Sequence, residues 1–164
     1  MQWIMPTAFK RLIPLLAKIY DIIFVMSAFH FYYPLQIRYG DLDPQWHLNN
    51  AHTVILLEQG RFAYIQKLGL WDGKDFFQLG LIVADVHVSY LAPVLYNQNV
   101  HVGVRVSRLG TKSLTFEYSL EDRDSGQVLA KAETVMVAYD YPTRQSMPIP
   151  QDWRVTIQAF ESLE

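Results

Sequence analysis

Cysteine is absent from the 164 residues, which excludes a disulfide, a thiolate zinc site and a thiol nucleophile. The absence is compatible with a reducing compartment, and a cytoplasmic location is the expectation. Charge is sparse: charged residues make up 18% of the chain, with a formal net charge of −2. A general nucleic-acid binder is usually basic, so nucleic acid is not an expected partner, although a local basic patch for a phosphorylated ligand is not excluded. His87 and His101 stand on polar strand faces without a metal-ligand spacing, and neither a metal nor another cofactor is expected. No internal repeat or low-complexity tract occurs.

A long uninterrupted apolar run is also missing. Leu12 to Val25 is strongly apolar and follows Lys10-Arg11, but Lys18 and Asp21 break it. It falls short of the roughly 20 apolar residues that a spanning helix needs, and no small-x-small cleavage site follows. Residues 1–28 are therefore read as an N-terminal apolar extension, with the functional chain expected to begin at Met26. Contact of 1–28 with a membrane is the alternative, and residues 29–164 form a single domain large enough to bury a core.

What the chain does have is concentrated between Tyr39 and Asn50, in Tyr-Gly-Asp-Leu-Asp-Pro-Gln-Trp-His-Leu-Asn-Asn. Leu35 to Tyr39 alternates apolar and polar as a half-buried strand does, and Asn50 to about Leu68 reads as helix. A helix N-terminus offers unpaired N–H groups and a partial positive charge to a carbonyl or an anion. A carboxylate just upstream delivers a base or nucleophile to the same point. That pairing suits hydrolysis of an activated acyl group.

Placed at 100° per residue, Ala51, Val54, Ile55, Leu57, Phe62, Tyr64, Ile65 and Leu68 share one broad apolar face. Glu58 and Arg61 fall within it, and Gly69 supplies a stop. Strands follow. Ile82, Ala84, Val86, Val88 and Tyr90 alternate with polar partners, as do Val100 to Val106 and Leu114 to Leu120, and Gln127 to Tyr139 is a fourth. Arg108 to Thr111 and Asp122 to Gly126 have hairpin-turn chemistry. A proline-containing loop leads to a short helix around Trp153–Leu163. One curled antiparallel sheet around one long central helix, an α+β fold, satisfies these faces.

The loop, Arg38 to Pro44 and His47 to Ala51, with Glu58 and Arg61 at helix spacing, resembles the hotdog-fold acyl-CoA thioesterases of the 4-hydroxybenzoyl-CoA thioesterase family, close to bacterial short-chain acyl-CoA hydrolases. The resemblance runs from about Phe31 to Tyr139. It implies the hotdog fold and hydrolysis of an acyl-CoA, or acyl-carrier-protein, thioester. It implies Asp43 as general base or nucleophile and backbone N–H groups near Asn49 to Ala51 as oxyanion hole. His47 and Asn49 would shape the loop or orient water, and Asn50 and Ala51 would border the substrate. Two departures stand out: the family often has glycine where this chain has Trp46, and tyrosine where it has Thr53. A bulky Trp46 would narrow or redirect the acyl pocket.

Other readings stay open at the level of sequence. Asp41 and Asp43 flank a proline turn, where aspartates also serve backbone hydrogen bonding alone. Asn49 or Asn50 suits a helix N-cap. Glu58 is either a working carboxylate on the helix, as in some hotdog thioesterases, or the ion-pair partner of Arg61. Arg105, Arg108 and Lys112, with Ser113 beside them, gather at the hairpin near which the family often places nucleotide contacts. A sheet with an open edge is expected to pair into a homodimer or homotetramer. Gly40 to His47 faintly echoes a hotdog hydratase signature, but Asp43 replaces its asparagine and the spacing to histidine is one residue longer. A non-catalytic acyl-binding or partner-binding hotdog protein is the remaining alternative.

Overall fold

The computed structural model describes residues 29–163. The apolar extension read over residues 1–28 lies outside them. Among the described residues there are six strands: β1 (Tyr32–Leu35), β2 (Leu81–Tyr90), β3 (Val100–Leu109), β4 (Ser113–Asp122), β5 (Val128–Asp140) and β6 (Gln145–Ser146). Three α-helices accompany them: α1 (Asn50–Lys67), α2 (Phe76–Leu79) and α3 (Gln151–Glu161). The sheet order is β1-β3-β4-β5-β2, antiparallel throughout, with β6 pairing β5. This is the curled antiparallel sheet around one long helix that the alternating faces predict.

The inner face of the sheet carries the core. Val100, Val102, Val104 and Val106 of β3, and Leu114, Phe116, Tyr118 and Leu120 of β4, are all buried. Helix α1 approaches this face closely at Gly60, where a Cβ would stand 2.5 Å from Val102 Cγ1. A side chain there would force helix and sheet apart. Asn49 caps the start of the helix, its Oδ1 accepting the Ala51 N–H at 2.8 Å. Leu68 closes it, followed by Gly69 at φ 68°.

Three details differ from the sequence reading. The first strand ends at Leu35, and Tyr39–Asp41 forms a 3-10 turn. The Asp41 carboxylate accepts the Arg38 N–H at 2.8 Å, which takes the chain out of extended pairing. The buried face of α1 consists of Thr53, Leu56, Leu57, Gly60, Arg61, Tyr64 and Ile65, whereas Val54 and Ile55 are 36% and 46% exposed. The long helix thus has a second apolar flank that the sheet does not cover. In β2 a bulge falls between Val83 and Asp85. One extra residue switches the face, so Leu81 and Val83, not Ile82 and Ala84, share the helix side with Val86, Val88 and Tyr90.

Helix α3 closes the sheet edge that β1 leaves uncovered. Trp153 and Ile157 are buried, and Arg154 Nη2 donates to the Gly110 carbonyl at 2.6 Å. The Glu161 carboxylate accepts the Tyr64 hydroxyl and the Val106 N–H, so two polar groups on the core border are satisfied by one side chain. Burial raises the pKa of that carboxylate. Among the described residues no helix is long and apolar enough to cross a membrane.

Candidate active site

The segment Asp43-Pro44-Gln45-Trp46-His47 is a tight hairpin loop. The Trp46 N–H donates to the Asp43 carbonyl at 3.0 Å and the Asp43 N–H to the His47 carbonyl at 2.8 Å. Pro44 presets the turn. Such a three-residue loop places its last residue in the left-handed region, where glycine is favoured; here Trp46 occupies it at φ 64°. Replacing Trp46 by glycine is expected to raise unfolding free energy by about 1 kcal/mol, because the left-handed penalty disappears. Denaturant unfolding of the variant against wild type checks this.

The two aspartates two residues apart have opposite surroundings. Asp41 is buried and fully engaged. It accepts from Arg38 through the main-chain N–H, from Nε at 3.1 Å and from Nη2 at 3.0 Å, and it contacts His52 Nδ1 at 3.0 Å. Hydrogen bonds from the Arg38 guanidinium, above all, hold its pKa down to about 2, with the His52 contact adding to them. Its main-chain carbonyl accepts the Asn49 N–H at 2.9 Å. Asp41 therefore fastens the loop to the start of α1. Asp43 is half-buried; its Oδ1 accepts the main-chain N–H groups of Gln45 at 2.8 Å and His47 at 3.2 Å. Its Oδ2 has no partner among the described residues.

Asp43 faces a cavity of about 410 Å³ whose polar wall includes His47, Asn50, Thr53 and Tyr90, and whose floor is Leu48, Val94, Leu120, Leu129 and Ala130. The helix start supplies donors here. The Ala51 N–H is taken by the Asn49 cap, whereas the Asn50 N–H, at the first helical position, has no intrahelical acceptor. Of the stretch Asn49 to Ala51, Asn50 is thus the residue with a donor left for a ligand. Thr53 is tied back to the Asn49 carbonyl through both N–H and hydroxyl. Tyr90 was not foreseen from sequence. Its hydroxyl donates to the Asn50 carbonyl at 3.2 Å, joining the end of β2 to the helix start. A tyrosine closing an apolar strand row gives no such signal.

The remaining predicted residues lie elsewhere. Glu58 pairs with Arg61 at 2.9 Å, and Arg61, only 4% exposed, also donates to the Tyr118 hydroxyl at 3.0 Å. Eight residues beyond Asn50, Glu58 stands about 12 Å further along the helix axis, too far to reach the same carbonyl within one chain. Arg108, Lys112 and Ser113 sit at the far end of β3 and β4, six to seven residues, or roughly 20 Å, along the strands from Leu120 in the Asp43 cavity. Lys112 Nζ is occupied there by the carbonyl and hydroxyl of Ser146. The structure does not bring these residues to Asp43 within one chain. A second cavity of about 410 Å³ on the outer sheet face is lined by Phe29, Arg105, Glu117 and Lys131. It is the less convincing reaction site, because Arg105 and Glu117 there pair with each other at 2.6 Å and the loop is remote. No group of three His, Asp or Glu side chains suited to a metal ion occurs among the described residues.

An open carboxylate oxygen, a free helix N-terminal N–H and an apolar floor in one cavity are the parts that acyl-transfer chemistry needs. Comparison with known proteins leads to the same kind of chemistry. A thioesterase from Thermus thermophilus, solved with coenzyme A and zinc, superposes with a TM-score of 0.74 at 31% identity, covering 84% of this chain and 98% of that one. The protein YsmA of Bacillus subtilis is 28% identical over 68% of this chain and 74% of its own length. The long-chain acyl-CoA thioesterase FadM of Escherichia coli is 20% identical over 76% of this chain and 94% of its own. With residues 37–157 matching the family described as the thioesterase-like superfamily, the chain belongs to that superfamily and has its hotdog fold.

Proposed function

We propose that the protein hydrolyses an acyl-CoA thioester to the free acid and coenzyme A. The observation that carries this reading is the contrast between the two aspartates: Asp41 is saturated by Arg38 and His52, while Asp43, whose Oδ2 has no partner among the described residues, lines the cavity that Asn50 and Thr53 of the helix start also line. The thioester carbonyl oxygen sits at the Asn50 N–H, where partial positive charge stabilises the oxyanion as it forms. Asp43 Oδ2 either takes a proton from the attacking water or attacks the carbonyl carbon itself. In both cases the tetrahedral intermediate expels the coenzyme A thiolate, which takes up a proton; on the nucleophilic route a water then hydrolyses the acyl–Asp43 anhydride, releasing the acid and restoring the carboxylate, and the acyl group rests on Leu120, Leu129 and Ala130. His47, on the same wall, orients the water or the substrate. Asn49 acts as the cap that keeps the first turn in place, Ala51 forms its next step, and Glu58 serves as the counter-ion of Arg61.

The reading includes a homodimer. Among the described residues strand β2 pairs only with β5, which leaves one edge of a ten-residue strand without a partner strand among them. Val83, Val86 and Tyr90 on it are exposed, as are Val54 and Ile55 on α1. A second copy added antiparallel at β2 covers edge and apolar side chains together, and it is the arrangement that could carry a hairpin such as Arg108–Ser113 toward a partner's loop. The test is coenzyme A release from short, medium, long and aromatic acyl-CoAs, run beside sedimentation at micromolar concentration. Release from at least one substrate by a dimeric species is the expected result. A folded protein silent on the whole panel, or one sedimenting as a monomer while active, overturns the corresponding half.

A further inference from the structure

Strand β2 carries its bulge between Val83 and Asp85, within its pairing with β5. Without it, the alternation that puts Leu81 and Val83 on the helix side would turn Tyr90 to the outer face of the sheet. With it, Tyr90 stands on the helix side and lines the cavity together with Asp43, Asn50 and Thr53. A bulge disrupts the ladder locally, and bulges collect beside active sites, where they re-aim a side chain. The ring re-aimed here does not enter the core, since Tyr90 stays 48% exposed. What it gains is a polar contact: its hydroxyl donates to the Asn50 carbonyl at 3.2 Å, forty residues away in sequence. Desolvation by partial burial raises the pKa of that hydroxyl, so it stays protonated and donating.

The contact falls on the residue whose N–H is left for a ligand. The first turn of a helix has no intrahelical bonds to hold its N–H groups in place, and other contacts take over that task around Asn50. The Ala51 N–H is held by Asn49 Oδ1 at 2.8 Å. The Asn49 carbonyl accepts the Thr53 N–H at 2.8 Å and the Thr53 hydroxyl at 3.2 Å. These bonds fix the peptide planes on both sides of Asn50 from within the helix. The Tyr90 hydroxyl ties the same residue to the sheet. Its own backbone is firmly seated, because the next two N–H groups, of Leu91 and Ala92, both donate to the Leu129 carbonyl at 2.9 and 3.0 Å. The segment that follows is fastened to the Asp43 loop: the Leu48 N–H donates to the Val94 carbonyl at 2.8 Å, and Leu95 bridges to His47.

We propose that Tyr90 is a positioning residue of the hydrolytic site, holding the Asn50 peptide against the sheet so that the Asn50 N–H meets the oxyanion at a fixed place relative to Asp43. This rests on the thioesterase reading and adds to it a residue that acts through another, without touching the reacting atoms. An oxyanion donor works because it is already aimed before charge develops, and a misplacement of about 1 Å is enough to lose much of that effect.

Tyr90→Phe tests this, because it removes the hydroxyl and keeps the ring on the cavity wall. Amide hydrogen exchange of the ligand-free protein, resolved by NMR, needs no turnover. The Ala51 and Thr53 N–H groups are expected to exchange about tenfold faster in the variant, as a loosened first turn opens locally, while the amides of β3 and β4 exchange as in wild type. On the acyl-CoA that the wild type cleaves best, kcat is expected to fall about tenfold or more, short of the roughly 10²–10³ lost with a donor itself. KM stays within about twofold. A tie that serves stability alone would lower the unfolding midpoint and leave kcat in place. Unchanged exchange at Ala51 and Thr53, an unchanged kcat, or a loss of kcat/KM that resides in KM overturns the proposal. A wild type silent on every acyl-CoA counts against the thioesterase reading itself, and the exchange result still decides whether Tyr90 holds the helix start.

Discussion

With Asp43 in the role proposed for it, Asp43→Asn is expected to lower kcat about a thousandfold on the best acyl-CoA substrate, with KM changed far less. The magnitude follows from the role. Removing a positioned general base typically costs about 10²–10⁴ in rate, and loss of a direct nucleophile costs no less. KM is expected to be spared because the carboxylate, in the proposed role, acts on the reacting carbon or its water and not on the bulk of the ligand. The variant is a fair test because the fold does not need the charge. Asparagine keeps an Oδ1 to accept the Gln45 and His47 N–H groups, so the hairpin loop survives. Steady-state coenzyme A release together with thermal unfolding of both proteins decides it. A rate within tenfold of wild type in a folded variant moves the chemistry away from the loop carboxylate.

The second large effect belongs to the neighbouring aspartate and appears as stability and pH dependence. The folded-state pKa of Asp41 lies at about 2, below its ordinary value of 3.8. A depressed carboxylate pKa means that the ionised form is the one the fold prefers. Its contribution is fully present above about pH 4 and is lost as pH falls toward 2. At 1.36 kcal/mol per unit this is about 2 kcal/mol. The contribution counts nearly in full on the Asp41 side, whose side chain is 3% exposed, and less on the Arg38 side, at 65%. Asp41→Asn is therefore expected to lose about 2–3 kcal/mol at pH 7, since charge-assisted bonds to Arg38 are replaced by weaker ones. The variant also unfolds with a flatter pH profile between pH 4 and 2. Urea midpoints measured across that range read both effects. An unchanged midpoint at pH 7 shows that the loop is held by other contacts.

These predictions separate two residues that the sequence presents alike. Asp41 and Asp43 stand either side of Leu42 before a proline, and turn chemistry accounts for both. The resemblance favours Asp43, but only the folded chain supplies the physical difference. Arg38 comes round through a 3-10 turn and His52 comes up from the helix to occupy Asp41, and neither partner is predictable from spacing alone.

Local pattern was enough for the sheet. Apolar residues at every second position in β3 and β4 specify one buried face each, turn residues at 122–126 specify a reversal, and Asn49 before an apolar helix specifies where that helix begins. Those signals are short-range and reinforce one another, so the α+β fold and the position of the loop are written in the chain itself. Tertiary structure decided what depends on which surfaces meet. The apolar arc of α1 split into a buried face and an exposed flank because the sheet covers only one side. The bulge in β2 changed the faces of Leu81 to Ala84 without altering composition. Tyr90 reached the helix start from forty residues away in sequence, while Arg108 and Lys112 were carried to the far end of the strands. The sequence by itself determined the fold and the place of the loop with its two carboxylates, because hydrophobic period and turn chemistry act over a few residues. Which carboxylate stays open, which N–H remains unpaired and which rings face solvent were settled by packing between distant segments, which no local pattern encodes.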